Sequence, residues 1–463
     1  MSAYSGKNVA VIGMARTGMA VAEVLRGLGA NVTLYDRKPE SELTDAVAQA
    51  SRLGVSARVG SDEVNLNGAD MVIPSPGVAR SAPSLVEAVR RGVEIVSEIE
   101  VAYQLSPAPI VAVTGTNGKT TTTVLIGLML RADGRDTFIA GNVVAGDIRM
   151  PLITATSRAK KDSVIVAEIS SFQLEWIRTF KPKVAALLNI GSDHMDRYAS
   201  LEEYAEAKAN IFRNQQPDDF TVVNADHPFV MKLAGAAASK IVGFSRVREL
   251  DEGAFVRANE IIVRLGGRET RICRLDEIRV PGDFNVENIL AASLAAMAIG
   301  ARPEAIAEAI RAFRGVEHRL EVVAEIDGVE YINNSMCTNV DAVVNSIQAI
   351  KRPVVVIAGG KDKGTSDWAP FADVVKQRVK SLVLVGESAP VLEAAVRKTG
   401  YASITNASSM KEAVEAAREE AVSGDTILLA PGCASFDMFR GFEERGEVFK
   451  ALVREYERRA NAE

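Results

Sequence analysis

One stretch, IVAVTGTNGKTTTTVLIGLML at residues 110–130, constrains the fold more than any other part of the chain. An apolar β-branched run is followed by a glycine turn and then by apolar residues at helical spacing. This pattern predicts a buried strand, a tight turn and a helix. Backbone N–H groups at such a helix start attract anions, so the turn predicts a phosphate site. The spacing is shorter than in G-x-x-x-x-G-K-[ST], because position 113 is valine.

Similar strand–helix alternation continues over almost all of the 463 residues. It predicts an α/β fold with mainly parallel sheets. Linker-like segments divide the chain into three predicted domains, at residues 1–107, 108–314 and 315–463. We expect Rossmann-like first and third domains. The central domain is expected to resemble a P-loop ATPase, with short extra strands between residues 254 and 280.

Composition narrows the class of protein. Hydrophobic residues make up 47% and charged residues 25%, which is typical of a globular protein. The net charge of −6 is distributed in mixed signs and favours neither nucleic acid nor an anionic membrane as a partner. Three distant cysteines, no signal-peptide pattern and no apolar run of ~18 residues predict a cytoplasmic protein without a membrane span.

The first block contains a βαβ pattern, VAVIGMARTGMAVAEVLRGLGANVTLYD. Gly13, Ala15 and Gly18 occupy the G-x-G-x-x-G positions, and Asp36 ends the next strand, where an acid can bond a ribose hydroxyl. NAD(P), another nucleotide-like ligand and a purely structural turn all fit this pattern. Ser75, in PSPGVARSAP, either belongs to an ordinary loop or lines a ligand crevice.

In the second block, Lys119 can place positive charge beside a phosphate, and the Thr120 hydroxyl can bind Mg²⁺. Glu168 ends an apolar strand, where it is either an ordinary strand-end acid or a metal ligand. The segment NIGSDHMDRY places His194 between two acids, Asp193 and Asp196, which favours a metal or phosphate site.

Lys208, in YAEAKANIF, looks from composition alone like an ordinary solvated helix lysine.

Several motifs together resemble the Mur ligases, which are ATP-dependent amino-acid ligases of peptidoglycan precursor synthesis. The resemblance covers all three blocks in order. It is closest to the type that adds D-glutamate to UDP-N-acetylmuramoyl-L-alanine. The motifs are TGTNGKTTTT, EISSFQLEW, NIGSDHMDRY, AKANIF, GDFNVENILAA, EHRLE and APGCASFDMFRGFEERGEVF.

The resemblance implies a set of binding residues for each substrate. For ATP the set is Gly115, Thr116, Asn117, Gly118, Lys119, Thr120, Thr121, Asn285, Asn288 and Arg319. For the UDP-linked muramoyl donor it is Arg16, Thr17, Gly18, Asp36, Ser75, Ser170 and Gln173. For an acidic amino acid it is Thr338, Lys363, Ser435 and Phe442.

The resemblance also implies catalytic and metal-binding roles. The implied catalytic residues are Lys119, Asn142, His194, Lys208 and Lys363. Thr120 and Glu168 would hold one Mg²⁺. His194 and a carbamylated Lys208 would hold a second.

The sequence departs from the family pattern at two places. The family pattern Asp-Ser-Lys-Ala-Thr-Asn is replaced by NNSMCTN, so Asn334 stands in place of an acid and Met336 in place of a lysine. Phe284 stands where a histidine is common. In GGKDKG, Lys361 and Lys363 suit an acidic substrate, although an exposed turn explains them equally well.

The implied reaction activates a carboxylate as an acyl phosphate, which an amine then attacks. A Mur-type or folyl-polyglutamate-like ligase with another donor or amino acid stays an alternative, as does a nucleotide-gated protein without turnover. An NAD-dependent oxidoreductase would leave the phosphate loop without a role. We expect small-molecule substrates and a monomer.

Overall fold

Short buried strands alternate with helices along the chain, as the sequence predicts. The computed structural model describes residues 2–146, 148–191, 197–362, 364 and 366–460. These residues form three mainly parallel sheets, one after another along the chain. The prediction of an α/β fold with three domains is therefore confirmed. The chain divides into two compact units, Met1–Glu277 with Glu287–Arg311, and Ile278–Val286 with Ala312–Glu463. The three domain boundaries given above stay predictions.

The first sheet is entirely parallel, with the order β3-β2-β1-β4-β5. The order reverses at β1, so the segments after β1 and β4 meet at the carboxyl edge, where α/β folds bind ligands. The strands are β1 Asn8–Ile12, β2 Asn31–Asp36, β3 Ser56–Val59, β4 Met71–Pro74 and β5 Glu94–Ile95. The helices are α1 Arg16–Gly27, α2 Thr44–Arg52, α3 Pro83–Arg91 and α4 Glu98–Leu105, with a 3₁₀ turn at Glu40–Glu42.

The second sheet has the order β14-β13-β12-β11-β10-β9-β6-β8-β7. It is parallel from β7 to β12, and antiparallel β13 and β14 extend it as the predicted short strands. The strands are β6 Ile110–Thr114, β7 Thr137–Gly141, β8 Val164–Glu168, β9 Val184–Leu187, β10 Phe220–Asn224, β11 Lys240–Ser245, β12 Gly253–Arg257, β13 Glu260–Leu265 and β14 Arg268–Arg274. The helices are α5 Lys119–Ala132, α6 Leu152–Arg158, α7 Ser171–Leu174, α8 Leu201–Ala209, α9 Pro228–Ala234, α10 Asp283–Ala298 and α11 Pro303–Ala312, with 3₁₀ turns at Asn210–Phe212 and Leu275–Glu277.

The third sheet has the order β15-β16-β20-β17-β18-β19, in which only β15 is antiparallel to its neighbour. Two apolar clusters pack on its strands, one of them around Phe371 and the other around Phe449. The strands are β15 Glu321–Ile326, β16 Val329–Asn333, β17 Val354–Gly359, β18 Val379–Val385, β19 Ile404–Ala407 and β20 Thr426–Gly432. The helices are α12 Val340–Ala349, α13 Ala369–Arg378, α14 Ala389–Arg397, α15 Met410–Glu420 and α16 Phe442–Ala460.

The three cysteines are free thiols inside these cores. Cys273, Cys337 and Cys433 are 1%, 3% and 2% exposed. Burial raises the pKa of each thiol to about 12. Among the described helices, none is both long enough and apolar enough to cross a bilayer.

Candidate active site

The predicted phosphate loop joins the end of β6 to the start of α5. All five residues of β6 are buried, and β6 has a neighbouring strand on each side, so the loop leaves an interior strand of the second sheet. Gly118 has a φ of 82°, and a Cβ there would overlap Oδ1 of Asn288. Glycine is therefore required at this position. In the part of the chain that the structure describes, no side chain caps α5, and such a helix start is an anion site.

Asn189, which follows the neighbouring strand β9, holds this loop. Its Oδ1 accepts from the Asn117 backbone N–H at 2.8 Å, and its Nδ2 donates to the Asn117 carbonyl at 3.1 Å. The Thr116 N–H donates to the Asn189 backbone carbonyl at 3.1 Å. Sequence reasoning missed this residue. Its position at the end of an apolar strand, first in NIGSDHMDRY, was the available signal.

Lys119 and Thr120 start α5 at the loop. Lys119 Nζ donates to the Thr116 carbonyl at 2.7 Å, which keeps the ammonium over the phosphate turn. Thr120 Oγ1 donates to Glu168 Oε2 at 2.6 Å. The structure thus brings the predicted charge of Lys119 and two of the predicted metal ligands, Thr120 and Glu168, to one edge of the sheet.

Glu168 ends β8 and is only 3% exposed. Besides Thr120, its carboxylate accepts from Asn142 Nδ2 at 3.1 Å, and Asn142 follows β7. Three predicted residues from three elements therefore meet at one carboxylate. A hydroxyl and a carboxylate are hard oxygen ligands of the kind that Mg²⁺ prefers, so this pair fits that ion.

Lys208 is not the solvated lysine that composition suggested. It is 1% exposed on α8, its Nζ donates to the Gly115 carbonyl at 2.9 Å, and it lies 4.5 Å from the centre of the Tyr204 ring. The expectation failed because α8 packs its small and aromatic residues under the loop, which sequence spacing does not reveal.

His194, with Asp193 and Asp196, and Lys363 lie outside the described residues.

The two asparagines predicted for the adenine side differ in surroundings. Asn288 is buried on α10 and accepts from Thr122 Oγ1 at 3.3 Å, beside Gly118. Asn285 Nδ2 donates to the Pro281 carbonyl at 2.6 Å. Arg319 closes a turn in which its N–H donates to the Val316 carbonyl at 2.9 Å.

In the first sheet, the structure brings three residues of the predicted βαβ pattern together with Ser75 from the segment after β4. The three are Gly13, Gly18 and Asp36. Ser75 Oγ donates to the Gly13 carbonyl at 3.3 Å, and a Cβ on Gly18 would overlap the same carbonyl. The Asp36 carboxylate accepts the backbone N–H of Met14 at 2.8 Å. Arg16 and Thr17 begin α1 at this turn.

A pocket opens beside Ser75. It is lined both by residues predicted to bind the donor and by residues that the sequence analysis did not single out. Gln173 lines it from α7, where Gln173 and Ser170 form a capping box. Sequence reasoning missed Glu98, Trp176 and Arg197, which line the same pocket, and no local pattern pointed to them.

Arg197 fixes one wall of this pocket. Its guanidinium donates to the Pro76 and Val78 carbonyls at 3.0 and 3.1 Å and to Glu175 Oε2 at 2.8 Å. It also lies 4.0 Å from the centre of the Phe172 ring. The 74–83 loop is therefore tied to α7 and cannot be an unconstrained surface loop.

Glu98 lines the pocket and is 2% exposed. Burial raises the pKa of its carboxyl to about 7, although the Ile153 N–H, Gln173 and Arg16 oppose this. Burial also lowers the pKa of Arg16, and Arg149 adds to that effect.

Of the residues predicted for the amino acid, Thr338, Ser435 and Phe442 lie in the second compact unit. Ser435 is buried, and Ser335 Oγ donates to the Phe442 carbonyl at 2.7 Å. Thr338 immediately precedes Asn339, the side-chain N-cap of α12. Lys361 is exposed and 3.5 Å from Glu387.

The altered NNSMCTN loop is held mainly by its amides and backbone. Asn334 Nδ2 donates to Ser346 Oγ at 2.6 Å, and its Oδ1 accepts from the Leu320 N–H at 3.2 Å. The Met336 N–H donates to the His318 carbonyl at 3.1 Å.

Arg445, which sequence reasoning missed, links this loop to the loop after β20. Its guanidinium donates to the Ser335 and Cys433 carbonyls at 2.8 and 3.1 Å. Burial lowers its pKa to about 10.

Glu317, His318 and Glu447 are spaced like metal ligands. However, Lys450 Nζ lies 2.7 Å from Glu447 and already supplies the positive charge. Burial lowers the pKa of His318, and the positive charge of Lys450 lowers it further. This group is therefore best explained as a partly buried charge network.

Three family descriptions match consecutive parts of the chain. The MurD-like N-terminal domain of Mur ligases matches residues 7–97, and the Mur ligase middle domain matches residues 113–296. The Mur ligase glutamate ligase domain matches residues 318–433. The chain belongs to the Mur ligase family, which confirms the resemblance seen in its motifs.

Relatives match almost the whole length. UDP-N-acetylmuramoylalanine–D-glutamate ligase of Pelotomaculum thermopropionicum is 45% identical over 454 residues, covering 97% of this chain and 98% of that protein. The protein of the same name from Thermoanaerobacter sp. is 43% identical over 456 residues, covering 98% and 99%. The structure of UDP-N-acetylmuramate-alanine ligase MurC from Thermotoga maritima shares the fold, with a TM-score of 0.59, 20% identity and coverage of 97% and 99%.

Proposed function

We propose that this protein joins D-glutamate to UDP-N-acetylmuramoyl-L-alanine, using ATP, in cytoplasmic peptidoglycan precursor synthesis. The observation that carries the proposal is the phosphate turn with Lys119 and Thr120 beside buried Glu168. Relatives that bear this activity in their names match 97% and 98% of the chain. The fold and the phosphate turn together do not support an oxidoreductase.

The phosphate loop would hold the triphosphate of ATP. The start of α5 supplies N–H groups, and Lys119 supplies a cation for charge that develops during phosphoryl transfer. Thr120 and Glu168 would hold Mg²⁺, with Asn142 orienting the Glu168 carboxylate. When bound, the ion would neutralise charge on the phosphate oxygens. His194 and a carbamylated Lys208 stay predicted ligands of a second ion.

The proposed reaction has two steps. A carboxylate oxygen of the donor attacks the γ-phosphorus, the bond to ADP breaks, and an acyl phosphate forms. The amino acid nitrogen then attacks the acyl carbon, and inorganic phosphate leaves as the amine loses a proton. Exclusion of water protects the acyl phosphate, because water would compete with the amine.

The pocket beside Ser75 supports the proposal that the first domain binds the donor. Trp176 Nε1 and Ser97 Oγ in this pocket have no hydrogen-bond partner within the described part of the chain. Buried polar groups of this kind favour a polar ligand. Arg16, Thr17, Gly18 and Asp36 extend this side at the βαβ turn.

The third domain would bind the amino acid through Thr338, Lys363, Ser435 and Phe442. Met336 removes a cation that the family pattern places here. Because Asn334 bonds Ser346 and Leu320, the loop keeps defined local contacts without the usual acid. D-Glutamate is the acceptor that the matching relatives' names favour.

The test is phosphate release from Mg-ATP with UDP-N-acetylmuramoyl-L-alanine and each amino acid in turn, including both glutamate enantiomers. We expect release only with D-glutamate, with one amide product per phosphate by mass spectrometry. Release with a different amino acid would keep the ligase and move its specificity to the Met336 loop. ATP binding without release under any pairing would contradict the proposal and favour a regulatory protein.

A further inference from the structure

Ser97 is a serine at a helix start whose hydroxyl does not cap the helix. It is the N-cap residue of α4, with an extended backbone at φ −78° and ψ 160°, and among the described residues its side chain forms no cap bond. A serine in this position normally accepts a backbone N–H from the first turn. Ser97 instead lines the pocket beside Ser75 and is only 4% exposed. Its hydroxyl is therefore enclosed without the role that a serine at a helix start usually has.

Trp176 brings a second polar atom to the same pocket. It follows α7, and its carbonyl accepts the Ser97 N–H at 2.9 Å, so the two residues are joined through the backbone. The Arg80 guanidinium lies 5.4 Å from the centre of its ring. Across the described ranges, neither Trp176 Nε1 nor Ser97 Oγ has a hydrogen-bond partner, although both atoms are buried. Two such atoms on adjoining residues of one pocket indicate a shared ligand.

The size and charge of the pocket limit what this ligand can be. The cavity volume is about 10 Å³, which is room for one oxygen-sized group. Trp176 Nε1 only donates, so the group must be an acceptor, and the Ser97 hydroxyl can donate to the same atom. The Glu98 carboxyl lines the pocket, and the Arg197 charge is paired with Glu175 at 2.8 Å, so an anion gains no net attraction. A neutral carbonyl or hydroxyl oxygen fits best.

We infer that Ser97 Oγ and Trp176 Nε1 donate to one neutral oxygen of the N-acetylmuramoyl-alanyl part of the donor. This inference rests on the proposed function and adds two residues that the resemblance does not supply. Asp36, predicted to bond the ribose, ends β2, whereas the pocket lies beside Ser75, after β4. Strands β2 and β4 flank β1 on opposite sides. The part of the donor beyond its diphosphate is therefore the part left for the pocket.

A bound water is the competing explanation, because one water fills the same volume and accepts from both atoms. Ser381 provides a matched control. It is 1% exposed on β18, outside the pocket, and its Oγ likewise has no partner within the described chain. Removing such a hydroxyl should leave stability equal or higher at both positions. Only its removal from Ser97 should weaken donor binding.

The test compares the full-length wild type with Ser97→Ala, Trp176→Phe and Ser381→Ala. We measure the Kd of UDP-N-acetylmuramoyl-L-alanine and of UDP by titration calorimetry, and the Tm without ligand. Loss of one neutral hydrogen bond predicts a rise of about three- to tenfold in the donor Kd of the first two variants, with the Kd of UDP unchanged. Ser381→Ala should match wild type for both ligands. The Tm of each alanine variant should equal or exceed that of wild type.

The inference requires the rise in donor Kd in each pocket variant that folds. An unchanged donor Kd overturns it and leaves the pocket to a water. An equal rise in the Kd of UDP also overturns it, because the contact would then belong to the nucleotide. If one pocket variant does not fold, the other decides, since each removes one donor to the same oxygen. A wild type that does not bind the donor contradicts the proposed function itself, whereas variants that match a donor-binding wild type contradict only this inference.

Discussion

At the scale of single residues, Glu168 shows how the site is built before any ligand arrives. A buried carboxylate without partners would be costly. Here Thr120 and Asn142 both donate to it, one from α5 and one from the end of β7. The hydrogen bonds keep the carboxylate and the hydroxyl in the places where the proposed ion would need them.

Thr120→Val should abolish most activity without unfolding the protein, because valine keeps the shape of threonine but lacks its hydroxyl. We expect phosphate release to fall at least ~100-fold and the Mg²⁺ requirement to rise, since one ligand of the ion is lost. A magnesium titration of phosphate release measures both effects.

Thr123→Val is the matched control on the same helix. Thr123 is fully buried, and within the described residues its Oγ1 has no hydrogen-bond partner. Replacing that hydroxyl with a methyl group should leave activity unchanged and stability equal or higher. Equal losses in the two variants would show that Thr120 acts through packing.

Glu98 should also make stability depend on pH. Its folded pKa of about 7 lies above the ordinary value of 4.5, so the folded state binds more protons between these values. The free energy of unfolding should therefore fall as pH rises from about 4.5 to about 7, by up to ~3 kcal/mol.

Glu98→Gln cannot ionise and should lose this decline. Urea unfolding of both proteins at pH 5 and pH 8 measures the difference. The same decline in the variant would assign the pH dependence to other titratable groups.

Residues that lie at strand ends could be predicted from sequence, because parallel strands bring their carboxyl ends to one edge. This rule found Lys119 and Glu168, and it also covered Asn189, which was overlooked. Lys208 and Glu98 could not be found in this way. Their surroundings come from helices distant in the chain, and SEIEVAYQL read alone is an ordinary acidic helix start.

At the scale of elements, α5 has a glycine with positive φ next to each end. Gly118 has a φ of 82° and Gly134 a φ of 80°. A Cβ on Gly118 would overlap Asn288, whereas one on Gly134 would meet nothing within 4 Å. Replacing either glycine therefore carries the same cost of a side chain at positive φ. Only the replacement of Gly118 also crowds a neighbouring residue.

Gly134→Ala should cost about 1–2 kcal/mol and leave ATP binding intact. Gly118→Ala should cost more and raise the Kd of ATP more than about tenfold, because the crowded loop must move. Chemical denaturation and ATP titration of both variants measure this. Equal effects would mean that the overlap with Asn288 is relieved without disturbing the loop.

The order of strands and helices along the chain could be predicted for the same reason as the fold class. The spacing of apolar residues changes between that of a strand and that of a helix along the chain. The strand order was not, since β6 lies between β8 and β9, which follow it in sequence. That order brings Asn189 and Glu168 to opposite sides of the loop, and it depends on packing of whole layers.

At the scale of the whole molecule, each compact unit holds one of the two tryptophans, Trp176 and Trp368. Trp368→Phe leaves a reporter for the first unit, and Trp176→Phe leaves one for the second. We expect Mg-ADP at about 100 times its Kd to stabilise the first unit by ~2.7 kcal/mol, because the phosphate loop lies there.

Thermal unfolding followed by fluorescence in the two variants separates the units. A larger shift of the Trp176 transition than of the Trp368 transition is expected. Identical curves and shifts would show that the chain unfolds as one cooperative body.

The buried cysteines make this chain suited to site-directed labelling. Reaction with maleimide requires a reachable thiolate, and the native thiols are both enclosed and shifted to a pKa of about 12. A cysteine introduced for exposed Val86 or Val391 should therefore react alone in the folded protein. Fluorophores could then follow the first and third domains during turnover without first removing any native cysteine.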